Sequence, residues 1–178
     1  HDGERHLLDL IRAVHEVDGI ERIRLGSLEP GIITEEFADA ISGLPKICPH
    51  FHLSLQSGCD ATLKRMNRRY TSAEYYEKCR ILRKYFDNPA LTTDVIVGFP
   101  GETEEEFQES LAFVDKVDFY ETHIFKYSKR EGTKAARMED QIDEQVKAQR
   151  SAAMIELGLK KKEAYERSFI GKTVEVLV

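Results

Sequence analysis

The feature that most constrains this chain is a fourfold alternation of strand-like and helix-like segments. Ile20–Gly26, Phe51–Gln56, Leu91–Gly98 and Glu121–Tyr127 read as strands. Their starts are spaced by roughly 30 to 40 residues, the length of one strand-plus-helix unit. Leu7, Leu8, Ile11 and Val14 recur at helical spacing ahead of the first strand. Thr71 with Glu74, and Thr103 with Glu106, fit the capping box, in which two orphan backbone donors are satisfied reciprocally. Phe107, Leu111 and Val114 then form a buried stripe. Strands joined through helices pair in parallel, so the expected class is α/β, a partial barrel of parallel strands.

The C-terminal third follows a different pattern. A long polar helix is expected from about Asp143 to Ser168, with Val146, Ala153, Leu157 and Ala164 on its apolar side and Gly158 as a local weakness. Gly171 ends it, and the alternating run Thr173–Val178 reads as the first strand of a separate β domain. The expected division is residues 1–170 for the barrel portion and 171–178 for the start of that domain. Because the chain opens and closes inside patterned segments, it reads as part of a longer protein.

Composition excludes several classes. Of 178 residues, 41% are hydrophobic and 33% charged, enough for one core and outside the disordered range. No run approaches the roughly 18 apolar residues of a membrane span, and no signal-peptide pattern opens the chain. The expectation is a soluble, cytoplasmic protein with no membrane partner. Cys48, Cys59 and Cys79 are odd in number and too far apart for a zinc ribbon, which fits a reducing compartment. The net charge of −6 repels a polyanion in bulk, so any nucleic-acid contact must be local or made by another domain.

In parallel α/β folds, ligands bind at the C-terminal ends of strands. The four loops there are Gly26–Pro30, Gln56–Gly58, Gly98–Thr103 and Tyr127–Thr133, each joining glycine to hydroxyl or charged groups. Strand faces add an independent clue, because alternate side chains point the same way. Helices must cover Phe51, Leu53 and Leu55, which turns His52, Ser54 and Gln56 inward; Thr92, Asp94 and Ile96 follow the same logic, and Arg24 lies on the polar side of the first strand. A closed barrel fills its interior with branched apolar chains, so a polar interior points to an open barrel holding a polar ligand. His50 and His52 could ligate a metal from one face, but no third ligand is evident in sequence, and no metal site is expected. The Thr103 helix start beside Gly98 and Gly101 reads either as an anion site or as simple capping. Lys64, Arg65, Arg68 and Arg69 form a local basic cluster at the rim, either a solvated helix face or a phosphate-contacting patch.

Three strings together resemble the radical S-adenosylmethionine methylthiotransferases: His52–Gly58 followed by Leu63–Thr71, Thr92–Thr103, and Tyr127-Ser128 with Arg130–Thr133. The Arg24–Pro30 and Cys48–His52 stretches look most like the branch that modifies threonylcarbamoyladenosine in tRNA. The resemblance implies a (β/α)6 barrel of which this chain lacks the first strands. It implies S-adenosylmethionine, two [4Fe–4S] clusters in the parent protein, a deoxyadenosyl radical that abstracts hydrogen from adenosine C2 beside the anticodon, and tRNA as partner. Ser54, Gln56, Asp94, Val97, Gly98, Phe99, Phe125 and Tyr127 would then lie on the cofactor side. Arg24, Glu29, Lys64, Arg65, Arg68, Arg69 and Arg130 would lie on the substrate or RNA side.

One departure from the family pattern stands out. The family holds its cluster with CxxxCxxC, a spacing that Cys48, Cys59 and Cys79 cannot supply. The expectation is therefore a fragment with no cluster, no catalytic residue and no metal of its own, inactive alone; the sequence names no sulfur donor and no oligomeric state. The alternatives are a methylthiotransferase acting on isopentenyladenosine or on a ribosomal-protein aspartate, a non-catalytic α/β binding domain, and a phosphate-handling barrel using the Thr103 helix.

Overall fold

The computed structural model describes residues 6–174. Four strands, β1 (Ile23–Leu28), β2 (Ile47–Leu53), β3 (Ala90–Val97) and β4 (Glu121–Lys126), form one sheet in sequential order, and every neighbouring pair is parallel. The helices are α1 (Leu7–His15), α2 (Glu35–Ser42), α3 (Asp60–Arg65), α4 (Ser72–Tyr85), α5 (Glu104–Val117) and α6 (Glu144–Arg167). An open parallel sheet of this kind is the expected partial barrel.

Both capping boxes form. The Thr71 hydroxyl accepts from the Glu74 amide while the Glu74 carboxylate accepts from the Thr71 amide, and Thr103 and Glu106 do the same at the start of α5. The apolar face of β2 and the segment just after it, Phe51, Leu53 and Leu55, is buried with Val95 and Val97 of β3 beneath Tyr75, Cys79 and Leu82 of α4 and Phe107 and Val114 of α5. Each such side chain contributes about 1.5–3 kcal/mol by leaving water, which commits this face to the helices and leaves the other for the hollow.

The strand boundaries differ from the sequence expectation in two places. β1 runs through Gly26 to Leu28, because Ser27 takes a left-handed φ of 53° and the register slips between Leu25↔Phe51 and Leu28↔Leu53. This bulge puts Leu25 and Leu28 on the buried face three residues apart, which breaks the period-two pattern. β2 begins at Ile47, four residues early, and ends at Leu53. Beyond it, Gln56 alone returns to the sheet: its amide donates to the Asp94 carbonyl and its carbonyl accepts from the Ile96 amide, both at 2.9 Å. The stranded backbone between is satisfied by side chains. Thr93 Oγ1 accepts from the Leu55 amide at 3.0 Å and donates to the Leu53 carbonyl at 2.6 Å, and the Tyr70 hydroxyl sits 2.9 Å from the Ser54 and Leu55 carbonyls.

α6 is continuous, against the expected weakness at Gly158. The helix passes so close to β4 that a Cβ at Gly158 would strike the Thr122 hydroxyl, so glycine there permits the approach. Its deepest residues are Lys147, Arg150 and Met154, whereas Ala164 of the expected apolar side is exposed. Two cations occupy the inner face: Arg150 donates to the buried Glu102, whereas Lys147 packs its stem against Gly98 and reaches out to the exposed Glu144. The expected strand over Thr173–Val178 lies mostly outside the described residues.

Candidate functional site

The sheet face opposite the helices is polar. His52 and Asp94 come together there, with Arg24, Gly26 and Ser27 of β1, around a hollow of about 480 Å³. A second hollow of about 520 Å³ adjoins it at the strand ends, lined by Gln56, Asp94, Ile96, Phe99, Phe125 and Tyr127, with Arg130 and Thr133 from the last loop. Asp94 lines both. Of the residues placed on the cofactor side from sequence, Gln56, Asp94, Phe99, Phe125 and Tyr127 therefore surround one space. Val97 is buried on the helix side, and Gly98 is buried under Lys147. Ser54 is half-buried on the same side of β2 as His52 but lines neither hollow. Gln56 reaches its place through a left-handed φ of 72°, a conformation not readable from strand alternation.

The hollow's walls have defined electrostatics. His52 Nε2 lies 3.3 Å from Asp94 Oδ2, and its Nδ1 lies 3.0 Å from Thr92 Oγ1. The Arg24 guanidinium lies 2.9 Å from His50 Nε2; burial first, and then this neighbouring cation, holds the His50 imidazole below its ordinary pKa. Phe99 and Tyr127 meet edge to face at 5.3 Å between ring centroids, an apolar wall at the strand ends.

The Gly98–Thr103 loop corrects one expectation. An anion site there needs free amides, and they are taken: Gly98 N–H donates to the Glu102 carboxylate at 2.7 Å, Gly101 N–H to the Asp140 carbonyl at 2.8 Å, and Thr103 N–H to the Glu106 carboxylate at 3.1 Å. Glu102 is itself buried and bound by Arg150; burial outweighs these donors and keeps its carboxyl above the ordinary range. Capping is the correct reading, and the phosphate-handling alternative loses its site.

The basic cluster divides. Arg65 is bound in a bidentate pair to Glu106, which ties α3 to α5. Arg68 is half-buried with its Nε unpaired, while Lys64 and Arg69 are exposed, as are Glu29 and Arg130. His123 was missed in the sequence. It stands on β4 two residues before Phe125, on the same face and directly opposite Asp94 in register, and that spacing was the available signal.

Iron–sulfur clusters are held by several deprotonated thiols positioned around the iron. Here the Cys59 thiol is buried and donates to Glu109, burial raises it, and burial pushes Cys79 up to about 12. With Cys48 half-buried on β2, the three do not fit a cluster. The second hollow does fit a nucleoside-sized polar ligand, with Gln56 and Asp94 as hydrogen-bonding groups beside an aromatic wall.

Residues 2–114 match the family model described as the radical SAM superfamily. The chain belongs to that superfamily. Among its relatives are proteins named tRNA-2-methylthio-N(6)-dimethylallyladenosine synthase, from Alkaliphilus oremlandii at 45% identity over 96% of this chain and from Acetivibrio thermocellus at 43% over 96%. Another is named threonylcarbamoyladenosine tRNA methylthiotransferase MtaB, from Bacillus subtilis, at 44% over 90%. The chain spans 36%, 35% and 36% of their respective lengths. In fold, this radical SAM chain is similar to coproporphyrinogen III oxidase (HemN) from Escherichia coli, with a TM-score of 0.64 and 16% identity, covering 89% of this chain and 36% of that one. A radical S-adenosylmethionine methyltransferase, TsrM, from Kitasatospora setae matches at a TM-score of 0.52 and 19% identity, covering 66% and 23% respectively. Among the described residues no helix is long and apolar enough to cross a membrane.

Proposed function

We propose that this chain is the distal part of the catalytic barrel of a tRNA methylthiotransferase that installs a methylthio group at C2 of N6-threonylcarbamoyladenosine next to the anticodon. The observation that carries the choice of nucleoside is Arg24. Its guanidinium, His50, His52 and Asp94 make the rim hydrophilic. A carboxylate-bearing threonylcarbamoyl group gives that exposed cation an anionic partner, which a dimethylallyl tail cannot supply. The names of the two dimethylallyladenosine synthases above favour the second reading, the dimethylallyl nucleoside.

S-adenosylmethionine bound at a reduced cluster supplies the radical chemistry of such enzymes. This chain's residues do the holding. Gln56, anchored by two backbone bonds to β3, and Asp94 present hydrogen-bonding groups to the polar parts of the ligand, while Phe99 and Tyr127 exclude water beside an adenine face. The cluster's thiolates come from outside residues 1–178, so the chain alone is inactive. The exposed Lys64, Arg69 and Arg130 contact RNA phosphates, and the protein works in the cytoplasm.

The deciding experiment is mass spectrometry of tRNA nucleosides from a strain lacking the parent gene. Loss of the methylthio form of threonylcarbamoyladenosine, with that of dimethylallyladenosine retained, supports the reading; the converse loss replaces it with the second.

A further inference from the structure

Three ligating side chains from three consecutive strands converge on the open sheet face. Asp94 and His123 are directly paired in register, and His52 stands one same-face step back on β2, opposite Thr92. One ligand atom from each lies within 4.8 Å of the others. The two imidazoles stack at 5.8 Å between centroids and 24° between planes. Thr92 Oγ1 engages His52 Nδ1 and so aims Nε2 toward Asp94, as the partner on the far nitrogen of a ligating histidine usually does. The His123 ring nitrogens hydrogen-bond no described residue.

We propose that His52, Asp94 and His123 form a binding site for a first-row divalent transition-metal ion. Two imidazoles and one carboxylate suit zinc or ferrous iron, whereas iron–sulfur clusters take thiolates, and none of the three cysteines belongs to this group. The three ligands leave open positions toward the hollow, where a ligand oxygen or nitrogen can complete the coordination. Hydrogen bonding alone accounts for His52 and Asp94 but gives His123 no role. Among the described residues Arg24 is the cation on this hollow's wall, and Lys162, which lines the space beside His123, is paired with Glu121. Arg24 therefore weakens the site without blocking it. The inference is independent of which nucleoside the parent enzyme modifies.

The test uses this 178-residue chain, stripped with chelator and titrated with Co²⁺ and then Zn²⁺ by calorimetry and visible absorption. The expected result is one ion per chain. His123→Ala should weaken binding by roughly 100-fold or more, beyond the 10–100-fold typical of losing a supporting group. Arg24→Gln should tighten it, and Cys48→Ser should leave it unchanged. Imidazole NMR of the wild-type chain gives a readout that needs no variant, with Zn²⁺ shifting His52 and His123 and sparing His15. Absence of binding, unchanged affinity in a folded His123→Ala, or Zn²⁺ shifts that bypass His52 and His123 would overturn the proposal.

Discussion

Arg150 of α6 donates to the Glu102 carboxylate at 2.8 Å, with the two side chains only 7% and 2% exposed, and this pair locks the long C-terminal helix onto the loop that follows β3. The same carboxylate accepts from the Gly98 amide, so one buried anion holds the loop's shape and receives the helix's cation. Breaking such a pair by removing one partner strands a charge. Arg150→Ala is expected to cost about 3–5 kcal/mol near pH 7 by urea unfolding. Burial raises the Glu102 carboxyl above its ordinary 4.5, and a carboxyl so raised contributes stability that is present below the unfolded value and lost as pH rises through the folded one. Without Arg150 the folded value climbs further, so the deficit should shrink as pH falls toward the unfolded value. A deficit independent of pH would show that Glu102 stays ionised.

Arg65 and Glu106 behave oppositely. The guanidinium hydrogen bond holds the Glu106 carboxyl below 4.5, so its stabilisation is present above the unfolded value and disappears as pH falls through the depressed folded one. Glu106→Gln should lose on the order of 1–2 kcal/mol at neutral pH, discounted for partial exposure. Thermal melts of variant and wild type should converge in acid below that window.

Gly58 has no room for a side chain. A Cβ there would lie 2.6 Å from Phe113 Cβ and 2.9 Å from the Ser110 carbonyl, so the loop after β2 would have to leave α5. Gly58→Ala should destabilise by about 1–3 kcal/mol, or about 2–4 °C in Tm per kcal/mol. Gly26→Ala, with open space around it, should stay within about 0.5 kcal/mol and serves as the matched control.

Tyr70→Phe keeps the ring and removes the donor shared by the Ser54 and Leu55 carbonyls. A loss of about 1–2 kcal/mol is expected, with faster hydrogen exchange over residues 54–58 than elsewhere. Burial pushes this phenol up to about 12 and raises the buried Tyr75 as well, so spectrophotometric titration of the variant should show one fewer late-ionising tyrosine than the wild type.

Much of the fold was legible because its signals are local. A capping box is closed by residues three apart, so Thr71–Glu74 and Thr103–Glu106 announce their helices without reference to the rest of the chain. The alternation of Phe51, Leu53 and Leu55 with His52 and Ser54 assigned the two faces of β2 before any partner was known. Less legible were the bulge at Ser27 and the left-handed Gln56, whose conformations are set by pairing with another strand.

From the linear chain came the parallel α/β class, the hydrophilic inner face and three cysteines without CxxxCxxC spacing. Tertiary structure alone decided that Glu102 and Arg150 meet, that the amides beside Thr103 are spent on nearby side chains and backbone, and that His123 joins His52 and Asp94. The division has a physical cause. Secondary structure and facing follow from interactions over a few residues, whereas a site needs groups tens of residues apart to satisfy one another, and only strand register and helix docking determine which ones do.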